Sequence, residues 1–127
     1  MQITSSAVSL TVEDVEASAS FLREHFGFAE QMTADGFASL GHESAGVNVV
    51  FLKRGIEVLP EDVRDRVATG LILAFVVADV AAEEARLKGA GVEITMPLRE
   101  EPWGEKLFQV TDPNGVVLQL VEWAGQR

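Results

Sequence analysis

The 127-residue sequence contains no cysteine, which excludes disulfide bonds, thiolate nucleophiles and zinc sites built on sulfur. Basic residues are also scarce, because 10 lysines and arginines face 20 aspartates and glutamates, for a net charge of −10. Nucleic acids and anionic membranes are bound through clustered basic side chains, so this balance argues against both kinds of partner. No apolar run approaches the roughly 20 residues of a membrane-spanning helix. Residues 1–6 lack the basic region and apolar core of a signal peptide, and we therefore expect a cytoplasmic protein.

The excess of negative charge has two interpretations. It could attract cationic ligands from a distance, but acidic surfaces more often serve solubility, and charge alone favours that second interpretation. The apolar share of 47% and the chain length suffice for one globular domain over residues 1–127 with its own core.

An internal repeat is the most informative feature of the sequence. Residues 10–17, LTVEDVEA, recur as residues 75–82, FVVADVAA. In each copy a strand-like run ends at an aspartate, a helical pattern follows, and glycine closes it. Asp14 and Asp79 are therefore predicted to cap the first free N–H groups of two helices.

These helices are predicted to cover about residues 14–26 and 80–88. Gly27, Gly89 and Gly91 are expected to supply the left-handed conformation that helix ends favour. Three strands are predicted after each helix, at about residues 28–34, 37–42, 47–53, 92–97, 105–111 and 116–123.

Turns and a linker complete the organisation. Asp35-Gly36 predicts a hairpin turn, and residues 112–115, DPNG, predict the turn before the last strand. Residues 54–69 form a linker in which Pro60 is expected to open a short helix. The element order is thus βαβββ in module one, residues 1–53, and again in module two, residues 70–127, which is an α+β fold.

Period-two alternation assigns the strands two different faces. One face of each sheet carries the larger apolar side chains and is expected to pack on a helix. The other carries small, apolar and neutral polar residues, and it is too apolar for a freely solvated surface. It forms either a pocket for a bulky, partly aromatic ligand or an ordinary second core.

Several segments resemble the glyoxalase/bleomycin-resistance/dioxygenase (vicinal oxygen chelate) superfamily. They are residues 8–14, VSLTVED; 74–79, AFVVAD; 101–104, EPWG; and 112–120, DPNGVVLQL. The resemblance covers nearly the whole chain. It implies that the two modules form an open, cup-shaped mixed β-sheet with the helices on the outer face. It says less about activity, because one fold can host many functions.

The resemblance also implies where a divalent metal ion would bind. Enzymes of this superfamily hold the ion with His and Glu side chains, and the matching positions here are Ala7, Val50, Ile72 and Gln119. Three of these have no donor atom and the fourth is a weak neutral one, whereas a catalytic site needs about three protein ligands. Neither histidine of the sequence falls on these positions. We therefore expect no metal, no other cofactor and no metal-dependent catalytic residues.

Within the superfamily, residues 35–39, residues 101–104, the acidic balance and the length resemble the metal-free bleomycin-resistance binding proteins, which hold a large cationic drug, usually as dimers. Phe37 and Trp103 match positions that stack on the ligand. Trp103 could instead cover the core, and Trp123 is expected in the core or at a dimer contact. The full set of candidate ligand-binding residues is Ser9, Phe37, Asn48, Val50, Leu52, Trp103 and Gln119. The amides of Asn48 and Gln119 could also serve a structural network.

Three functions compete at this point. The leading one is a metal-free binding protein that sequesters a bulky aromatic natural product or antibiotic, which could be cationic, and acts as a homodimer. The second is an enzyme of the same superfamily, a glyoxalase-like lyase, an isomerase or a dioxygenase, although no Ser/His/Asp or Cys/His constellation supports it. The third is a module whose sheet face binds a protein partner. Whether the modules pair within one chain or between chains is left open by the sequence.

Overall fold

A computed structural model describes residues 1–123 of the chain. It contains two helices and eight strands in the order β1 (Ala7–Val12), α1 (Val15–Phe26), β2 (Ala29–Ala34), β3 (Phe37–Gly41), β4 (Asn48–Lys53), β5 (Ile72–Val76), α2 (Val80–Gly89), β6 (Ile94–Glu100), β7 (Lys106–Thr111) and β8 (Val117–Glu122). The predicted α+β class and the repeated βαβββ order are confirmed.

The chain divides into two compact units, the first spanning Met1–Thr69 and the second beginning at Gly70. Each unit holds one four-stranded mixed sheet that is open, since it has two edge strands. The order is β1-β4-β3-β2 in the first and β5-β8-β7-β6 in the second. In each sheet the first pair of strands is parallel and the others are antiparallel.

In the first unit, one face of the sheet packs against α1. Leu10 and Val12 of β1 and Phe51 of β4 are almost fully buried on this face, and Leu22 of α1 is buried against the sheet. Alternate residues of β1 are half-buried or exposed. The period-two assignment of the faces is therefore right, because helix packing removes only one side of a pleated sheet from water.

The second unit repeats this arrangement around α2. Leu118 and Leu120 of β8 and Phe108 of β7 are buried on the helix side, together with Val80 and Leu87 of α2. These side chains form the apolar core of the second unit, and their counterparts form that of the first. Among residues 1–123, no helix is long and apolar enough to cross a membrane.

The helix caps agree with the sequence at both N-termini. The Asp14 carboxylate accepts a hydrogen bond from the Ala17 N–H, and the Asp79 carboxylate accepts one from the Ala82 N–H, each at 3.1 Å. Gly27 ends α1 with φ 71°. These contacts are local in sequence, which is why the repeat could predict them.

At the end of α2 the prediction for Gly89 is wrong. Gly89 is the last residue of the helix itself, and the cap is Ala90 with φ −87°. The left-handed conformation occurs two residues later, at Gly91 with φ 85°. With two nearby glycines the chain needs only one positive φ to leave the helix.

The helix predicted to open at Pro60 is also absent. The segment consists of successive turns, in which the Val63 N–H bonds to the Pro60 carbonyl at 3.0 Å. The side chain of Arg64 donates to the Leu59 carbonyl, and the Arg64 carbonyl accepts from the Gly55 N–H at 2.8 Å. Because these groups are bonded outside a helical ladder, the segment folds back on itself instead of forming a helix.

Candidate functional site

The face of the first sheet that points away from α1, here called the first open face, carries three rows of side chains across β1, β4 and β3. Its members are Ala7, Ser9, Thr11, Asn48, Val50, Leu52, Phe37, Ser39 and Gly41. The middle row runs from Ser9 through Val50 to Ser39, and the next runs from Thr11 through Leu52 to Phe37.

Five of the residues predicted from the sequence lie together on this face: Ser9, Phe37, Asn48, Val50 and Leu52. Leu52 is buried, Ser9 is exposed, and the other three are half-buried. All the positions of the three strands on this face carry neutral side chains. The face offers apolar area and hydroxyl or amide groups, without charge.

A neutral polar cluster at one end of this face was not found from the sequence. The Ser39 hydroxyl donates to Gln31 Oε1 at 3.4 Å. The Gln31 side chain lies over Gly41, where an added Cβ would collide with it and would stand 3.0 Å from Asn48 Oδ1. A glycine within a strand is the one available signal, because it often marks the close approach of another group.

The second sheet presents a corresponding second open face, away from α2. Across β5, β8 and β7 its members are Ile72, Ala74, Val76, Val117, Gln119, Val121, Leu107, Gln109 and Thr111. Gln119 stands between Ala74 and Gln109, and Gln109 Nε2 donates to Gln119 Oε1 at 2.8 Å. Nearby, the hydroxyls of Thr95 and Thr111 are 3.0 Å apart.

The two open faces correspond row by row. Val50 lies beside Ser9 in the first sheet as Gln119 lies beside Ala74 in the second. Likewise Ala7 begins β1 as Ile72 begins β5. The four positions assigned from the sequence are therefore equivalent pairs within the repeat.

The side chains at these four positions do not fit a divalent metal ion. Ala7, Val50 and Ile72 have no donor atom, and the carbonyl oxygen of Gln119 already accepts a hydrogen bond from Gln109. Within residues 1–123, no three or more His, Asp or Glu side chains are grouped so that they could hold an ion. The side chains at these four positions are neutral and do not form a metal-ligand set.

Both histidines are held by local contacts away from the open faces. His25 of α1 packs edge-on against Phe21, with ring centroids 5.1 Å apart. His42, just after β3, packs on Phe28 at 5.2 Å, and its Nδ1 accepts the Ser44 N–H at 3.1 Å. Both imidazole rings thus have a packing role within the first unit.

Trp103 lies in the turn between β6 and β7. Gly104 adopts φ 95° there, and its N–H bonds to the Glu101 carbonyl at 2.9 Å. The indole is 64% exposed and its Nε1 donates to Glu105 Oε1 at 2.9 Å, so it does not cover the core. Trp123 is 42% exposed, so its predicted place in the core is wrong, and its role as a dimer contact stays a prediction.

A groove of about 540 Å³ lies elsewhere, at the N-terminal end of α2. Residues 78–81, residues 98–100, Lys106 and Glu122 line it. None of the predicted ligand-binding residues contributes to it. The Glu122 carboxylate accepts the Val80 N–H at 3.0 Å, which gives that acidic group a structural role at the helix start.

The shifted ionisable groups likewise lie outside the open faces. A hydrogen bond from Ser20, followed by one from Arg23, holds the pKa of Glu16 below its ordinary value. Hydrogen bonds to Glu13 and Glu101 raise the pKa values of Arg54 and Arg99 respectively. These groups belong to ion pairs and hydrogen bonds away from the open faces, and none supplies an acid or base to the candidate site.

Comparison with solved structures shows the same fold. A glyoxalase/bleomycin resistance protein/dioxygenase from Nocardioides is 19% identical with a TM-score of 0.75, over 100% of this chain and 88% of that one. A lactoylglutathione lyase from Agrobacterium tumefaciens is 16% identical with a TM-score of 0.75, over 95% and 94%. A superfamily member from Sphaerobacter thermophilus is 22% identical with a TM-score of 0.73, over 96% and 98%.

Among curated proteins, none matches the sequence. The family model described as the Glyoxalase/Bleomycin resistance protein/Dioxygenase superfamily matches residues 4–120. That match spans nearly all of the repeat, both sheets and both open faces. The chain belongs to the glyoxalase/bleomycin resistance protein/dioxygenase superfamily.

Proposed function

We propose that this protein binds a bulky aromatic small molecule, such as a natural product or antibiotic, and sequesters it stoichiometrically without a metal ion. The observation that carries the proposal is the first open face, where Phe37 and Val50 supply accessible apolar area beside the buried Leu52, and Ser9 and Asn48 supply neutral polar groups. Ligand sites are commonly apolar with a few polar groups that fix orientation. Capture of this kind would confer resistance to a toxic ligand by lowering its free concentration.

The chemistry of the open faces favours binding over turnover. Acid–base catalysis needs a titratable group within reach of the substrate, and nucleophilic catalysis needs a base beside a hydroxyl or thiol. The hydroxyl of Ser39 has the neutral oxygen of Gln31 as its neighbour, which cannot take up a proton at neutral pH. On the second open face Gln109 and Gln119 bond to each other.

The net charge of −10 gives a cationic ligand a second kind of interaction. The members of both open faces are neutral. The negative charge therefore acts on the ligand through the field of the whole protein. Such a field raises the association rate of a cation and weakens with added salt. Affinity for the aromatic part of the ligand depends much less on salt.

The proposed aromatic contacts are Phe37 and Trp103. Stacking on an aromatic ring is worth about 0.5–1.5 kcal/mol beyond area burial. Removal of a whole aromatic side chain that anchors a ligand costs about 2 kcal/mol. The affinity of Phe37→Ala and of Trp103→Ala should therefore fall roughly thirtyfold.

A thermal-shift screen with divalent metals and with aromatic and cationic antibiotics identifies the probe, and titration at low and high salt follows. Val58→Ala is the control for Trp103→Ala, because it also removes an exposed apolar side chain outside the open faces. Phe21→Ala, on α1, is the control for Phe37→Ala. If both test variants are folded and bind like the parent, the ligand does not bind at Phe37 and Trp103. A tightly held stoichiometric metal ion, or catalytic consumption of the probe, would favour the enzyme instead.

We further propose that the protein works as a homodimer in the cytoplasm. Support comes from the edge strand β5, where Ile72 and Val76 are 51% and 56% exposed on the second open face. Exposed apolar side chains on an edge strand favour pairing with another copy, because pairing removes them from water. Light scattering at micromolar concentration should give the mass of two chains, and a folded monomer would contradict this part of the proposal.

A further inference from the structure

The amide pair on the second open face points to the kind of polar group that the ligand carries. Gln109 and Gln119 are direct cross-strand partners on β7 and β8, and both are half-buried. The hydrogen bond of 2.8 Å runs from Gln109 Nε2 to Gln119 Oε1. The carbonyl oxygen of Gln119 is therefore engaged by its neighbour.

This bond fixes the orientation of the Gln119 carboxamide. In a planar amide the oxygen and the nitrogen point about 120° apart, so the NH₂ group of Gln119 is directed away from Gln109. On its other side stands Ala74, which is exposed and whose single methyl group leaves room above the sheet. The NH₂ group thus presents donors, with no acceptor of its own, to whatever lies on this face.

The surroundings of that donor are apolar and uncharged. Val117 and Val121 flank Gln119 along β8, and Val76 lies beside Val121 on β5. Two basic groups are near by register. Arg99, opposite Leu107, is tied by two hydrogen bonds to the Glu101 carboxylate, and Lys106, opposite Glu122, belongs to the alternate set of β7 residues on the α2 side. An anionic ligand group placed here would lose its hydration without gaining a counter-charge, which is costly. A neutral oxygen acceptor loses far less and satisfies the donor.

We propose that Gln119 donates to a neutral carbonyl oxygen of the ligand, a ketone, quinone or amide, and that Gln109 is the positioning residue that turns the Gln119 donor outward. The inference rests on the proposed function and extends it, because it assumes that aromatic ligands bind at the second open face. The inference adds a rule of ligand selection to the proposed function. Among aromatic ligands of one shape, the protein prefers those with a carbonyl acceptor on the ring system over hydrocarbons and over carboxylates.

Three naphthalenes of similar shape test this rule: 2-acetylnaphthalene, 2-ethylnaphthalene and 2-naphthoate. One neutral hydrogen bond predicts that the parent protein binds the ketone about three- to tenfold more tightly than the hydrocarbon. The carboxylate should bind more weakly than the ketone. Affinities are measured by titration of backbone amide NMR signals, and the ketone should also shift the side-chain NH₂ signal of Gln119.

Variants separate the donor from its positioning residue. Gln119→Leu should remove the preference for the ketone over the hydrocarbon, because the donor that selects the ketone is gone. Gln109→Glu should also remove it, because a carboxylate accepts only and would turn the Gln119 NH₂ group toward itself. Gln2→Leu, outside both sheets, is the matched control and should keep the preference. A merely structural role of the pair would lower both affinities together.

The outcomes distinguish this inference from the proposed function. If Gln119→Leu keeps the ketone preference while all three naphthalenes bind, the inference is wrong and the proposed function stands. Binding of none of the naphthalenes also overturns the inference. The proposed function is also wrong only if no antibiotic in the thermal-shift screen binds.

Discussion

Asp112 does not lie on the second open face, but it supports the connection between two strands of that face. It lies in the turn between β7 and β8, is 5% exposed, and accepts the N–H groups of Asn114 at 2.8 Å and Val116 at 2.9 Å. The same turn holds Gln109 opposite Gln119. Replacement of Asp112 by alanine therefore tests whether this carboxylate fixes the strand connection on which the amide pair depends.

The structure sets the expected size of the effect. Val116 is 4% exposed, so its N–H group would be left buried without its side-chain acceptor, whereas the Asn114 N–H is partly accessible and can turn to water. A buried donor that loses its partner costs about 1–3 kcal/mol, and hydrogen bonds to a charged group are worth about 1.5–3 kcal/mol. Asp112→Ala should therefore lower the free energy of unfolding by about 2–4 kcal/mol. Asp112→Asn keeps a neutral acceptor and should cost about 1 kcal/mol.

Urea unfolding followed by circular dichroism measures both variants. With a slope of about 2 kcal/mol per molar urea, the midpoint of Asp112→Ala should fall by about 1–2 M. Asp62→Ala removes an exposed carboxylate and should change the free energy by less than about 0.5 kcal/mol. Equal losses for the alanine and asparagine variants, or a loss in Asp112→Ala no larger than in the control, would refute the reasoning.

Two further predictions concern the helices. Asp79→Ala removes the acceptor of the Ala82 N–H at the start of α2 and should cost about 1 kcal/mol in thermal unfolding; a similar loss in Asp79→Asn, which keeps a capping oxygen, would contradict the cap. On α1, the hydrogen bond from Ser20 and then that from Arg23 hold the pKa of Glu16 below its ordinary value of 4.5. A lowered pKa means that this carboxylate stabilises the fold above the unfolded-state value and loses that contribution as the pH falls through the folded-state value. In Ser20→Ala the pKa should rise toward the ordinary value by carboxyl-carbon NMR, and an unchanged titration would contradict the assigned cause.

Local chemistry explains which elements could be predicted from the sequence. The caps at Asp14 and Asp79 bond to N–H groups three residues away, and the turn at Asp112 closes on its own neighbours. Period-two alternation follows from the geometry of a single strand and needs no partner. The helices, the hairpin at Asp35-Gly36 and the two faces of the strands were therefore predictable.

Interactions between distant or competing groups explain the errors. The segment after Pro60 forms turns because Arg64 and Gly55 bond across it, which its own propensity does not reveal. Strand β6 was predicted at 92–97 but runs from Ile94 to Glu100. Its pairing with β7 contains two register shifts, which lengthen the strand beyond its alternating pattern.

The sequence by itself determined that the chain repeats one βαβββ unit, which residues cap its helices, and that Ser9, Asn48, Val50 and Leu52 alternate with the larger apolar residues of their strands. These are properties of short segments, set by hydrogen bonds and side-chain alternation within them. Only the tertiary structure decided which side chains become neighbours. Parallel pairing of β1 with β4 sets Ser9 beside Val50, and the β7–β8 register joins Gln109 to Gln119. Strand order depends on how the whole unit packs its apolar face. The sequence alone therefore does not show that Gln109 and Gln119 are neighbours.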